Sequence, residues 1–342
     1  MTRLGVVMEP DRDNRTESEG VLNPATARGR DGELYLFPRL VGQGNYSRIG
    51  IARVCFNADG DPAGVERLGI ALEPQEPFEK NPQTGGGCED PRVTYLEPFD
   101  CYVMTYTAYG SQGPRIALAS SHDLIHWERL GLVGFGETAP VNFNNVYNKD
   151  GVLFPQAIRD PTGEVSIGLI HRPLFPGSQP HEFLARESQA EEHRPRLHHE
   201  SLWISYCREP TRLEQLTDLH WHHRLMSPRY SWERMKVGAG APPLLTRHGW
   251  LLIYHGVSGR SDDTKQRLRY SAGALVLDKE HPDEIVFRSK RPVLTPDERE
   301  AEGLVPNVVF PTGIDQRNDL GDPDRVDVYY GMADDRIGVA TL

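Results

Sequence analysis

Gly85-Gly86-Gly87-Cys88-Glu89-Asp90-Pro91-Arg92-Val93-Thr94-Tyr95 carries a glycine run into two adjacent carboxylates, a proline, an arginine and a β-prone segment. Glycine permits positive φ and a close approach of backbone to ligand. Pro91 fixes its own φ and biases Asp90 toward an extended conformation, which gives that carboxylate a defined direction. Arg92 is a charge partner for a nearby acid. Taken alone, the stretch also reads as a β-turn entering a strand with solvated charges. Its surroundings favour the functional reading.

Downstream, Cys101–Tyr109 and Pro114–Ser121 read as strands, and Trp127–Leu132 as a fourth. The same order recurs loosely at intervals of about seventy residues. The opening turns are Asn23–Ala25, Glu89–Arg92, Asn144–Lys149, Gly238–Pro243 and Asn307–Gly313. The second strands are Gly32–Leu40, Cys101–Tyr109, Glu164–Pro173, Trp250–Val257 and Val326–Asp334. The third strands are Ser47–Val54, Pro114–Ser121, Leu202–Cys207, Arg269–Asp278 and Arg336–Leu342. A fourth strand follows in all units but the last, at Gly64–Leu68, Trp127–Leu132, Trp221–Leu225 and Ile285–Arg288. The N-terminal Arg3–Val7 is left over to complete the fifth unit. Four strands per repeat is the signature of a propeller. The expectation is an all-β, five-bladed β-propeller over residues 1–342, its ring closed by the N-terminal strand. A polar, charged insertion at about 176–200 reads as a loop over one face or as partly disordered.

Composition agrees. A chain of 342 residues can bury a large core, as one big β domain or two smaller ones. A formal charge of −11 argues against nucleic acid and anionic membrane as partners. The four cysteines form no CxxC pair, and the histidines fit no ligand spacing, so reduced thiols and no metal are expected. Met1–Pro10 has no apolar run suited to a signal peptide, and no segment approaches a membrane span. A cytoplasmic protein is the reading.

Loops at one end of a propeller form a funnel around its axis. The opening turns bring Asn23, Glu89, Asp90, Arg92, Lys149, Lys236 and Asn307 toward that space. The second strands add Arg39, Tyr106, His171, Arg172, Tyr254, His255, Tyr330 and Asp334, and the third strands Arg48, Arg115 and Tyr270. Several cations, a few carboxylates and aromatic faces in an acidic protein suit a sugar beside an anion. Phosphate is the simplest such anion, since guanidinium matches its geometry. The alternative is that each arginine pairs with a neighbouring acid.

Gly87–Val93 with Met104–Tyr109 closely resembles glycoside hydrolase family 130, the β-mannoside phosphorylases and their hydrolytic relatives. So do Arg115–Ala119, Asn148–Pro155, His171–Pro173, Trp250–Gly256, Val309–Gly313 and Tyr330–Asp334, in the family's order from about Asn23 onward. The resemblance implies a five-bladed propeller that cleaves β-mannosides with inversion, inorganic phosphate attacking the anomeric carbon to give α-mannose 1-phosphate. Asp90, in the family's E-D-P-R motif, would be the general acid, acting through the mannose 3-hydroxyl. Arg39, Arg48, Arg115 and Lys149, with His255, would bind phosphate. Asn23, Tyr270, Phe310 and Asp334 would hold the mannose, and Glu89, Arg92, Tyr106, His171 and Arg172 complete the substrate-binding set. No cofactor is implied beyond phosphate as co-substrate. A homo-oligomer is left open, because the chain lacks the C-terminal helical extension of some relatives.

Inversion needs an acid and a nucleophile on opposite faces of the sugar. With phosphate as nucleophile, a cationic pocket replaces the second carboxylate. A hydrolase on the same fold would use water, with Glu89 or Asp334 as base. A glycan-binding propeller without turnover is a third reading, against which Asp90 beside intact cations argues.

Overall fold

The computed structural model describes residues 1–81, 85–136, 142–175, 200–259, 267–322 and 324–342. The expected insertion, apart from its last residue, therefore lies outside the described residues. The strands in chain order are β1 (Thr2–Met8), β2 (Gly20–Arg28), β3 (Leu34–Gly42), β4 (Tyr46–Phe56), β5 (Pro62–Leu72), β6 (Gly86–Leu96), β7 (Cys101–Gly110) and β8 (Gly113–Ser121). Then come β9 (Glu128–Leu132), β10 (Gly134–Phe135), β11 (Tyr147–Leu153), β12 (Ile158–Arg159), β13 (Val165–Leu174), β14 (Leu202–Arg208), β15 (Asp218–Met226) and β16 (Lys236–Ala239). The last are β17 (Leu244–Thr246), β18 (Gly249–Ser258), β19 (Arg269–Leu277), β20 (Ile285–Arg288), β21 (Val309–Gln316), β22 (Val326–Met332) and β23 (Arg336–Thr341). The only helical elements among the described residues are short 3₁₀ turns, and no helix is long and apolar enough to cross a membrane.

Antiparallel pairing sorts these strands into consecutive four-stranded groups. They are β2-β3-β4-β5, β6-β7-β8-β9, β11-β13-β14-β15, β16-β18-β19-β20 and β21-β22-β23-β1. The N-terminal strand thus completes the last group, as Gly5 opposite Val339 and Val6 opposite Gly338 illustrate. The fold is all-β and propeller-like.

Each apolar core is shared by two groups, either consecutive in the chain or the first with the last. Phe37 and Ile49 of the first pack with Met104 and Tyr106 of the second. Val103 and Ile116 of the second pack with Leu169 and Trp203 of the third. Ile204 meets Leu252, and Leu251 meets Val328. Val21 and Leu36 of the first group pack with Tyr329 and Val339 of the last. The middle strands are thus buried on both faces, which explains their near-continuous apolar runs. Alternation still governs direction: Tyr102, Met104 and Tyr106 face the first group, while Val103 faces the third. Each fully buried Leu, Val or Phe here contributes about 1.5–3 kcal/mol.

The stretches read as opening turns are largely innermost strands, and this corrects the sequence reading. Asn23, Glu89–Arg92 and Lys149 lie inside β2, β6 and β11. These strands each carry one extra residue, between Leu22 and Ala25, Glu89 and Arg92, and Lys149 and Val152. β21 does the same between Pro311 and Gly313. At three bulges a polar residue adopts left-handed φ: Asn23 at 45°, Asp90 at 47° and Asp150 at 55°. Asp90 is therefore not extended as Pro91 suggested. A bulge needs an unpaired residue of unusual φ, and Asn and Asp tolerate that region best among residues with a side chain.

Candidate active site

The bulges aim Asn23, Asp90 and Asp150 away from the ladder. Asp90 Oδ1 accepts from Asn23 Nδ2 at 2.8 Å and from Arg39 Nη1 at 3.2 Å. Arg39, opposite Leu22 on β3, also donates from Nη2 to Glu89 Oε1 at 2.9 Å and from Nε to Ser47 Oγ at 2.9 Å. Glu89 Oε2 faces Lys149 Nζ at 3.5 Å, and that ammonium stands 5.6 Å above the Tyr109 ring. Asp90–Arg39–Glu89–Lys149 is thus a chain of alternating charge built from three strand groups.

Burial presses the Asp90 carboxyl upward, but Arg39, Lys149, Arg92 and the Asn23 hydrogen bond outweigh it and hold it below the ordinary carboxylate range. Burial pulls Arg39 down, while Glu89, Asp90 and Asp334 together raise it above its usual value.

A second half joins through Arg92. Its guanidinium donates to the carbonyls of Gly240 (3.0 Å), Asp90 (2.9 Å) and Ala239 (2.9 Å), and reaches Asp150 Oδ1 at 3.4 Å. Asp150 also accepts from Arg172 Nε at 2.6 Å, and Arg172 pairs in turn with Glu200. Burial pushes Asp150 up, but Arg172, His255 and Arg92 hold it well below the usual range. His255 lies 3.7 Å from Asp150 Oδ2 and stacks on Phe310 at 4.3 Å between centroids. Tyr270 adjoins both rings, with Lys236 5.5 Å above it.

Burial drives His255 down to about 3, with Asp150 opposing and Arg172 and Arg92 assisting. Neither of its ring nitrogens, nor Asn23 Oδ1, has a hydrogen-bond partner among the described residues, although all three are buried. Buried polar atoms of this kind call for a ligand or an ordered water as partner. Two glycines keep the space clear. A Cβ on Gly331 would stand 2.2 Å from Asn23 Oδ1, and one on Gly238 would stand 2.3 Å from both Asp150 Oδ2 and His255 Cε1.

The structure thus brings together Asn23, Arg39, Glu89, Asp90, Arg92, Lys149, Arg172, His255, Tyr270 and Phe310. Asp334, at φ 52°, acts on the cluster through its charge on Arg39. Arg48 is engaged elsewhere, with Nε 2.8 Å from Glu73 Oε2 and its guanidinium over Tyr46. Arg115 has no ion pair among the described residues and lines a pocket of about 210 Å³ with Phe78, Leu132 and the Gly110–Gly113 hairpin.

Tyr106 and His171 are not brought in, which corrects their assignment to substrate. The Tyr106 hydroxyl donates to Glu79 Oε1 at 2.6 Å inside the core between the first two groups. His171 is enclosed by Phe135 and Phe143, with Nδ1 3.0 Å from Asn148 Nδ2 and Nε2 2.8 Å from Ser205 Oγ. Tyr254 and Tyr330 likewise point to Glu233 and Glu300. Sequence reading missed Asp150, which holds both buried arginines, and Glu200. The acid directly after Lys149 was the available signal for Asp150.

A family model described as beta-1,4-mannooligosaccharide phosphorylase matches residues 2–342. A 1,2-beta-oligomannan phosphorylase of Thermoanaerobacter sp. (strain X514) is 31% identical over 98% of this chain and 94% of its own length. A beta-1,2-mannobiose phosphorylase of the same strain is 31% identical over 76% of this chain and 68% of its own. Among solved structures, a complex of beta-1,2-mannobiose phosphorylase from Listeria innocua with beta-1,2-mannobiose superposes with a TM-score of 0.68 at 23% identity, covering 95% of this chain and 89% of that one. With the match running from one end of the sequence to the other and the E-D-P-R acid seated among cations, the chain belongs to glycoside hydrolase family 130, that of the β-mannoside phosphorylases.

Proposed function

We propose that this protein is an inverting β-mannoside phosphorylase, in which inorganic phosphate cleaves a short β-mannoside to α-mannose 1-phosphate and a shortened acceptor sugar. Residues 1–342 form one catalytic domain in this reading, a five-bladed ring closed by β1. The observation that carries it is the state of Glu89. Both its oxygens face cations, Arg39 and Lys149, so it is badly placed to activate water, and those two cations suit an anionic nucleophile.

Asp90 is the acid. Its proton goes to the departing acceptor oxygen, by way of the mannose 3-hydroxyl, as a phosphate oxygen bonds to the anomeric carbon from the opposite face. Arg39 and Lys149 hold the phosphate, with His255 at its edge. Among the described residues Arg115 has no ion pair to give up, whereas Arg48 must leave Glu73 to take part. Asn23, Arg172, Tyr270, Phe310 and Asp334 line the sugar. Because the reaction draws on free phosphate and yields a sugar phosphate, a cytoplasmic location belongs to the proposal.

The test is incubation with β-1,2-mannobiose, mannosyl-glucose and mannosyl-N-acetylglucosamine, each with and without phosphate. Phosphate-dependent release of mannose 1-phosphate is expected, and the productive substrate names the acceptor. Free mannose released without phosphate would instead make the enzyme a hydrolase. Lys149→Ala is expected to raise the phosphate KM about 10–100-fold, the worth of one charge-assisted hydrogen bond, and the sugar KM far less. Equal effects on both would remove Lys149 from the phosphate site.

A further inference from the structure

The ion-pair network around Asp90 is already closed. Arg39 and Lys149 alternate with Asp90 and Glu89, while Arg92 and Arg172 are met by Asp150 and Glu200. Asp334 adds a negative charge near Arg39, and Lys236 a positive one beside Arg172 and Glu200. A dianion entering this balanced cluster must displace carboxylates from their cations, and a displaced buried carboxylate is costly unless it gains a proton. A general acid, moreover, has to carry a proton that Asp90 lacks while it serves Arg39.

We propose that phosphate arms the acid of its own reaction: the dianion draws Arg39 and Lys149 onto itself, Asp90 takes a proton from solvent, and Glu89 is the positioning residue that couples the two events. The inference rests on the phosphorylase reading.

Asp90 is singled out by its contacts. Among the described residues its carboxylate touches one cation, Arg39, and otherwise the neutral amide of Asn23. Arg92 holds its backbone carbonyl, and Lys149 acts on it only through space. When Arg39 turns to the anion, Asp90 therefore loses its one direct cationic partner. Glu89 lies between two cations and is the strap through which occupancy at Lys149 reaches Arg39.

The protons balance. Asp90 gains one from water as phosphate binds and gives it to the acceptor oxygen as the C1–O bond breaks and the C1–phosphate bond forms. It returns ionised to Arg39 when mannose 1-phosphate leaves. Phosphate before mannoside is the productive order.

The experiment is calorimetric titration of the folded enzyme with sulfate, a dianion of phosphate's shape with no proton to exchange near neutrality. Buffers of different ionisation heat count the protons taken up. Wild type is expected to bind about one proton per sulfate, and Asp90→Asn to bind sulfate with no measurable uptake. Wild-type binding without uptake, or equal uptake in Asp90→Asn, would overturn the coupling. Uptake lost only in His255→Asn would assign the proton to the other buried group and overturn it equally. Sulfate that fails to compete with phosphate in the assay removes the anion site itself, so failure of the phosphorylase reading is told apart from failure of the coupling.

Glu89→Gln supplies the second arm. Without the Glu89 charge, Arg39 and Lys149 hold Asp90 ionised more firmly. Sulfate should then bind at least as tightly, while kcat falls and its alkaline limb moves to lower pH. Glu89→Asp should restore the limb. A merely structural Glu89 would weaken sulfate binding and leave the limb in place, which would sink the coupling.

Discussion

Glu79 and Asp90 are both buried carboxylates paired with arginine, and they lie eleven residues apart in the chain. Their surroundings differ in kind. Glu79 caps its own 3₁₀ turn, accepting from the amides of Gln75 (2.7 Å) and Glu76 (3.0 Å), and it also takes the Tyr106 hydroxyl and the Arg129 guanidinium. The knot recurs. Glu233 binds the amides of Arg229 and Tyr230, the Tyr254 hydroxyl and Arg288. Glu300 binds the amide of Asp297, the Tyr330 hydroxyl and Arg3. In each, a connection between groups is tied to the second and outermost strands of the next. The Asp90 carboxylate instead meets, among the described residues, two side chains of the first group, Asn23 and Arg39, amid orphaned polar atoms and on a left-handed bulge. A carboxylate saturated by its own backbone holds the fold together. One held by side chains alone can exchange them without breaking backbone hydrogen bonds.

Asp90→Asn breaks the comparison on the catalytic side. It keeps the shape and the Arg39 contact but removes the proton, so kcat should fall by about 10⁴-fold, the upper end for a general acid. Thermal unfolding should move little. Activity near wild type would take Asp90 out of the mechanism.

Glu79→Ala breaks it on the structural side. It leaves the buried Arg129 guanidinium and the Tyr106 hydroxyl without their acceptor, a loss of about 3–5 kcal/mol in stability by denaturant unfolding. The folded fraction should keep both KM values. A large rise in either KM with unchanged stability would move Glu79 into the site.

The strands were legible because burial on both faces writes long β-branched and aromatic runs between turn residues. The cluster members Asn23, Arg39, Glu89, Asp90 and Lys149 were legible because polar residues recur where those runs begin or end. Two things were not legible. A bulge adds one residue to a strand without changing its composition, so Asp90 and Asn23 looked like turn residues, and Asp150 was passed over beside Lys149. The second is facing. Arg172 and His255 point into the cluster, while His171 and Tyr254, one position earlier, point into the gap between groups. A one-residue step on a strand reverses the face, and from sequence both steps are simply polar or aromatic. The third group carries His171, Ser205 and His222 joined at 2.8 Å contacts where other groups have the glutamate knot, so the repeat that would have flagged Tyr106 as structural is interrupted.

Tyr106→Phe sharpens this boundary with the smallest change. The ring and its packing against Phe37 and Met104 persist, and only the hydroxyl on Glu79 Oε1 is lost. Glu79 keeps Arg129 and two backbone amides, so the cost is one hydrogen bond to a charged acceptor, about 1.5–3 kcal/mol. That loss should appear in unfolding, with the KM for mannoside and for phosphate unchanged. If Tyr106 touched substrate, the same variant would raise the sugar KM while sparing stability. The two outcomes share no readout, so this substitution decides whether the knot ends at Glu79 or reaches into the site.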